Sequence, residues 1–183
     1  MKVSHNWLKE LVQININPNE LSEKLSIGGF EVESLTDCSS LVNGVVLGKV
    51  IDVEKHKDSS KLSICKVDVG LSKNLQIVCG ANNVRPNIYV YVAKVGSHLS
   101  FLDITIKKTE IRGVLSEGMI CSLEELGLET NSEGIAIIEE NIAERHNLGS
   151  LAKDLLLLDD YIFDLAITAN RPDGMSVIGI ARE

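Results

Sequence analysis

The chain has 183 residues and a formal net charge of -8, with 44% apolar and 24% charged side chains, the balance of an ordinary globular protein of one or two domains. Its densest aliphatic run, Leu155–Leu158, falls far short of the roughly 20 residues that a membrane span needs. Met1–Asn6 opens no apolar signal core. Cys38, Cys65, Cys79 and Cys121 are widely spaced and lack a Cys-x-x-Cys pair or a neighbouring histidine. They are therefore expected to be reduced, with no metal site, in a cytoplasmic protein without membrane contact.

Taken in chain order, Trp7, Leu8, Leu11 and Val12 have helical spacing after a possible Ser4 cap. Asn17-Pro18-Asn19-Glu20 predicts a second helix, with Pro at its first position and Glu at its third. That helix should stop at Gly28-Gly29, and Phe30 to Leu35 should be extended. From Val45 the period becomes two: Val45, Leu47, Ile51 and Val53 alternate, as do Leu75, Ile77 and Cys79. Between Leu62 and Val69 the apolar phase slips near Cys65-Lys66, which predicts a β-bulge there. Ile88–Val95 and Ile104–Ile111 supply two further strands, and Gly70, Gly80, Gly96 and Gly113 punctuate the turns. Ser122–Leu126 reads as a short helical turn and Ile135–Ile138 as a short strand. Leu151, Leu155 and Leu158 mark a helix, and Tyr161, Phe163, Leu165 and Ile167 a strand. Pro172 holds Thr168–Pro172 as a loop, after which Asp173 is expected to cap a helix reaching Glu183.

Five short strands within one segment suit a small closed barrel, the oligonucleotide/oligosaccharide-binding fold being the leading candidate. The fold class is therefore α+β: a small five-stranded β-barrel of that type inserted into a discontinuous αβ domain. Residues 1–39 form its first part, 40–150 the barrel and 151–183 the second part.

The global charge argues against a polyanionic partner, but its distribution does not. Between Val45 and Ile120 stand eleven Lys or Arg against seven Asp or Glu, a local balance of +4 that leaves -12 for the rest. Such a basic middle suits either a phosphate-facing module or a merely solvated, Lys-rich strand surface. The candidate phosphate contacts are Lys49, Lys55, Lys61, Lys108, Arg112 and Ser116. Arg112 has an alternative, pairing with Glu110 or Glu117. Ser116 and Met119 have a structural one, capping a turn and filling the barrel bottom. His56 between Lys55 and Lys57 reads either as a phosphate contact or as a solvated turn residue. Asn170 and Arg171 either clamp RNA or fix the loop before the last helix. Tyr89 and Tyr91 share a face, where they either stack bases or enter the core. Cys79 and Cys121 are most simply core residues. No nucleophile with a partnered base and no phosphate-cradling loop is present, so no catalytic residue is assigned.

Irregular motifs in the middle and at both ends of the chain go beyond periodicity. Ile77-Val-Cys-Gly-Ala-Asn-Asn-Val84 and Arg112-Gly-Val-Leu-Ser-Glu-Gly-Met-Ile-Cys-Ser-Leu-Glu-Glu-Leu-Gly-Leu128, with Lys61-Leu62, resemble the tRNA-binding domain that several synthetases and free-standing proteins carry. The flanks, Ser4-His-Asn-Trp-Leu8 with Leu25-Ser-Ile-Gly-Gly-Phe-Glu-Val-Glu33, and Asn170-Arg-Pro-Asp173 running to Ser176-Val-Ile-Gly-Ile-Ala-Arg-Glu183, are similar to bacterial phenylalanyl-tRNA synthetase beta chains. That family usually reads His-Pro-x-Ala-Asp-Lys-Leu where this chain has His56-Lys57-Asp58-Ser59-Ser60-Lys61-Leu62. Asn87 stands where a turn glycine is common, and Ala169 where a Pro precedes Asn-Arg-Pro.

The resemblance implies an N-terminal fragment of a phenylalanine-tRNA ligase beta subunit, with 151–183 leading toward an editing domain. It implies tRNA as a partner, together with the synthetase alpha chain and the rest of the beta chain in an alpha2-beta2 heterotetramer. ATP and magnesium belong to the parent enzyme's charging site on the alpha chain; no cofactor is expected in this fragment. A free-standing tRNA-binding or chaperone-like protein, and a structural module without RNA contact, are the alternatives.

Overall fold

The change of period near residue 45 coincides with a change of architecture. The computed structural model describes residues 1–183, which divide into a unit made of Met1–Ser39 with Asp159–Glu183 and a unit made of Ser40–Leu158. The chain opens with β1 (Lys2–Ser4), α1 (His5–Leu11), α2 (Pro18–Ile27) and β2 (Glu31–Asp37). After a 3-10 turn it runs through β3 (Val45–Lys55), β4 (Ser63–Asp68), β5 (Leu75–Cys79), β6 (Tyr89–Lys94), β7 (His98–Leu99) and β8 (Ile104–Thr105). Then come β9 (Thr109–Ile111), β10 (Val114–Ser116), β11 (Gly118–Ile120), β12 (Ile137–Ile138), α3 (Glu140–Ala143) and α4 (Ala152–Leu155). It ends with β13 (Tyr161–Ala166), a 3-10 turn over Pro172–Met175 and α5 (Val177–Arg182).

In the first unit the expected caps are present. The Ser4 hydroxyl accepts from the Trp7 N–H at 3.1 Å. Asn17 and Glu20 form a reciprocal capping box around Pro18. The three strands pair antiparallel in the order β1-β13-β2, which brings Val3, Phe163 and Leu35 into one row. Val3, Leu8, Leu25, Phe30, Phe163, Leu165, Val177 and Ile180 form the core. The last helix differs from expectation: Ser176, not Asp173, caps it, accepting from the Gly179 N–H at 3.1 Å. Asp173 instead lies within the 3-10 turn that Pro172 opens, and binds Arg171. Arg171 lies 4.1 Å over the Phe30 ring, donates to the Gly28 carbonyl and reaches Glu183. Of its two sequence readings, these contacts give it the loop-fixing one.

In the second unit a mixed set of elements surrounds a nearly closed antiparallel barrel. The sheet order is β11-β6-β3-β4-β5, with β12 also paired to β6. Its two ends meet without a ladder. The Glu117 N–H donates to the Gln76 carbonyl at 2.8 Å, and the Gln76 amide donates to the Leu115 carbonyl at 2.8 Å. The Val78 N–H donates to the Ser116 hydroxyl at 3.1 Å. These contacts occupy edge groups that an open sheet would expose.

The strand count departs from five. Ile104–Ile111 is not one strand, because the exposed Lys107-Lys108 tract interrupts it and the Ile106 N–H turns to the Ser97 carbonyl. β8 pairs with β7 and β9 with β10, so the sheet is completed by β11 and β12 instead. The bulge also lies elsewhere. Val50 faces Val67 and Asp52 faces Lys66, so Ile51 is the extra residue, on β3. β4 pairs regularly with β5 and buries Cys65, Val67 and Val69 without a break; the half-buried Ile64 mimicked a slip.

Residues 45–48 of β3 do not alternate, since both faces are covered. Val46 and Val50 belong to the barrel interior with Cys65, Ile77, Val90 and Ile120. Val45 and Leu47 join an outer cluster with Tyr91, Leu99, Cys121, Leu126 and Ala152. Leu155, Leu156 and Leu158 pack on that outer cluster and Leu151 bridges to Val46. Residues 151–158 therefore sit with the barrel unit, eight residues beyond the boundary expected from the sequence.

Candidate nucleic-acid interface

One end of the barrel gathers four cations that lack acidic partners, Lys55, Lys57, Lys61 and Arg112. The β9–β10 hairpin turns at Arg112-Gly113, with Ile111 paired to Val114 and both turn residues at positive φ, 49° and 80°. This is the primed two-residue turn that suits strand twist, and Gly113 takes its second position without steric cost. Arg112 holds a left-handed backbone that non-glycine residues seldom adopt, and its guanidinium projects from the hairpin tip.

A second loop, Lys57–Lys61, is joined to that tip. The His56 N–H donates to the Leu62 carbonyl at 3.0 Å, closing the loop. The His56 ring is 4% exposed, and its Nδ1 accepts from the Asp58 N–H at 3.1 Å. The proton is therefore on Nε2, which donates to the Ile111 carbonyl at 3.3 Å. Arg112 Nη1 completes the clasp, donating to the Asp58 carbonyl at 3.0 Å. His56 is thus neither a phosphate contact nor a solvated turn residue; it is the buried pin between loop and hairpin. A histidine inside a charged tract carries no sequence signal for that role.

A cleft of about 460 Å³ lies between these segments, lined among others by Lys55, Lys57, Gln76 and Arg112. Lys61 is exposed on the same loop. Lys55, Lys57, Lys61 and Arg112 take part in none of the side-chain ion pairs of the chain. Glu54 and Asp58 also line the cleft, so its lining is net basic by one charge, and the Asp58 contact to Arg112 runs through its backbone carbonyl. The site can therefore hold an anion against several donors at once.

The remaining sequence candidates are not brought together here. Lys49 precedes the Ile51 bulge, which reverses the faces of the later strand residues, so Lys49 and Lys55 point to opposite sides of β3. Lys49 lies 4.8 Å over the Tyr89 ring and reaches its hydroxyl at 3.4 Å. Lys108 is held at the hairpin base by Glu117 at 3.0 Å, with Lys73 at 3.9 Å on the same carboxylate. The hydrogen bond from Lys108 is the first cause holding the Glu117 carboxyl below its ordinary range. Ser116 is 4% exposed, and its hydroxyl accepts from Val78 and donates to Gly118, so it belongs to the barrel wall. Lys57, noted in the sequence only as an added charge, lines the cleft. Tyr91 enters the core and Tyr89 is half-buried, and no Tyr, Phe or Trp lines this cleft.

The fold and the cleft together offer Lys55, Lys57 and Arg112 as donors to an anion. Residues 45–146 match the model of the family described as "Putative tRNA binding domain", more than half of the chain, and the chain belongs to that family. Over all 183 residues it is 71% identical to the phenylalanine--tRNA ligase beta subunit of Prochlorococcus marinus (strain MIT 9312). It is 72% identical to that of Prochlorococcus marinus subsp. pastoris (strain CCMP1986 / NIES-2087 / MED4). The chain spans 22% of each of these curated relatives. Among solved structures, the C-terminal domain of Plasmodium vivax p43 aligns with 24% identity and a TM-score of 0.43, over 62% of this chain and 61% of that one.

Proposed function

We propose that this chain is the N-terminal region of a phenylalanine-tRNA ligase beta subunit and supplies an auxiliary tRNA-binding barrel of the oligonucleotide/oligosaccharide-binding type, set into a discontinuous αβ frame. The identity over the whole chain, flanks included, supports the beta subunit over a free-standing tRNA-binding protein. In the parent enzyme, ATP and magnesium would serve the charging of tRNA with phenylalanine on the alpha chain, in a cytoplasmic alpha2-beta2 assembly. This region would contribute RNA contact and no chemistry.

The observation that carries the site is the clasped pair of loops presenting Lys55, Lys57 and Arg112 on one cleft, with Lys61 exposed on the same loop. Without an aromatic platform, affinity comes from phosphate neutralisation and counterion release, so it is weak, salt-sensitive and indifferent to sequence. Four contacts imply a log–log salt slope of about -2.8 to -3.6. Titration of unmodified tRNA by fluorescence anisotropy across a salt series measures it. Lys57→Ala with Arg112→Ala should flatten the slope by about 1.4 to 1.8, while Lys49→Ala, on the other face, should leave it nearly unchanged. No tRNA binding at low salt would make the barrel a structural module, and equal effects of the two changes would place the RNA contact outside this cleft.

A further inference from the structure

At the base of the β9–β10 hairpin, three segments of the chain bring their charges together. The last pair of the hairpin is Thr109 with Ser116, so Lys108 and Glu117 meet one rung beyond it. Lys108 Nζ donates to Glu117 Oε1 at 3.0 Å. Lys73, from the loop that leads into β5, reaches Oε2 of the same carboxylate at 3.9 Å. Each oxygen therefore has its own lysine. The Glu117 side chain is 14% exposed, against 84% for Lys73 and 59% for Lys108. Its backbone is pinned as well, since the Glu117 N–H donates to the Gln76 carbonyl where the sheet closes. The anion is thus the sheltered member of the group, and the lysines are its exposed cover.

This group adjoins the basic cleft. Gln76 lines that cleft and donates its amide to the Leu115 carbonyl. Arg112, at the hairpin tip, is four residues from Lys108, about 13 Å of extended chain. A few successive phosphates of one strand cover that span. Glu110, exposed on β9, is the acid between them.

We propose that Glu117 occupies a phosphate seat formed by Lys73 and Lys108, and that this internal stand-in limits how much of an RNA backbone the barrel holds. The inference rests on the tRNA-binding reading above. Two lysines converging on the two oxygens of one anion offer a phosphate the same two contacts. The Glu117 carboxyl is held below its ordinary range, by the Lys108 hydrogen bond first and against burial, with Lys73 adding to it. The position therefore favours negative charge. A phosphate that draws either lysine away leaves the carboxylate unpaired beside a polyanion, and that repulsion offsets the new contact. In the unsubstituted chain Lys73 and Lys108 are held in reserve, and tRNA meets the four cations of the cleft and its loop.

Anisotropy of tRNA across a salt series, with the 183-residue chain and its variants, tests this. Glu117→Gln keeps the size of the side chain and should tighten binding several-fold at low salt. It should also steepen the log–log slope by about 1.4 to 1.8, the share of two further contacts. Lys73→Ala with Lys108→Ala should leave the slope of the unsubstituted chain nearly unchanged, yet abolish the gain when combined with Glu117→Gln. Glu140→Gln, which removes an exposed acid from α3 of the same unit, should leave the slope in place. Circular dichroism melts check that each variant keeps the parent's fold, and Glu117→Ala repeats the measurement should Gln disturb the seam. An unchanged slope in Glu117→Gln, a gain that survives loss of both lysines, or an equal gain from Glu140→Gln overturns the seat and leaves tRNA binding by the cleft standing. A flatter slope on loss of the two lysines alone overturns their being held in reserve. Absence of tRNA binding by the unsubstituted chain at low salt overturns both the seat and the reading it rests on.

Discussion

Ser116 offers the sharpest separation between a residue that contacts RNA and one that holds the barrel. Its hydroxyl accepts from the Val78 N–H at 3.1 Å and donates to the Gly118 carbonyl at 3.0 Å, at 4% exposure. Ser116→Ala removes both bonds and leaves the Val78 N–H without its partner, where β5 and β10 close the sheet without a ladder. A net hydrogen bond is worth about 1 kcal/mol, and an orphaned buried donor costs about 1–3 kcal/mol. The expected loss is therefore about 2 kcal/mol for the Ser40–Leu158 unit. At a urea m-value of about 2 kcal/mol/M, the midpoint of that unit should fall by about 1 M. Far-UV circular dichroism follows the transition. Trp7, the single tryptophan, belongs to the other unit, so its fluorescence serves as an internal reference and should move little. Anisotropy with tRNA, measured well below the transition, should match the unsubstituted chain. If Ser116→Ala leaves the urea midpoint in place but abolishes tRNA binding, the hydroxyl is an RNA contact and the wall assignment is wrong.

His56→Ala should cut tRNA affinity by loosening the Lys57–Lys61 loop from the Arg112 tip, although His56 itself faces no phosphate. Slower amide exchange in His56→Ala than in the parent at Asp58 would refute the clasp. Gly179→Ala should cost more than about 2 kcal/mol, because an added Cβ would lie 1.8 Å from the Asp173 carbonyl oxygen; an unchanged thermal midpoint counts against that packing. His5 should make the first unit pH-sensitive. Burial, then Lys9, lower its pKa below the ordinary value against the pull of Asp160, and Nε2 has no partner. The folded state thus stays neutral where the unfolded chain takes up a proton, so stability is complete above about pH 6.5 and declines as pH falls from there toward the folded pKa. Urea midpoints read by Trp7 should drop between pH 7.5 and 5.5, and less so in His5→Phe; parallel drops would exclude His5 as the cause.

Local chemistry was legible in the sequence wherever it acts within one turn of chain. The Ser4 cap and the Asn17–Glu20 box are such features, and so is the primed turn that Gly113 permits. What escaped depends on partners far along the chain. The bulge is defined by how β3 pairs with β4, not by either strand alone, so the apolar Ile64 beside Cys65 pointed to the wrong one. Helix 152–155 was assigned to the tail by composition, but its burial is settled by the outer cluster. In the site, residue type offered Lys55, Lys61 and Arg112 as phosphate contacts, and the fold sets Lys55 and Arg112 on one cleft with Lys61 exposed on the adjoining loop. Residue type could not register that Glu117 engages Lys108, that the bulge turns Lys49 away, or that Ser116 and His56 are consumed by the framework.

Arg112 sits where folding by itself would choose another residue. A primed turn wants glycine or asparagine at that first position, and an arginine there gives up roughly a kilocalorie per mole of backbone comfort. The hairpin tip is therefore a place where stability and affinity can be dialled separately. Arg112→Asn should relax the turn while removing the charge, yielding a chain that melts later and binds tRNA less. That opposition makes the position a tuning point: a barrel engineered for robustness would drift away from RNA at this residue before it lost anything of its shape.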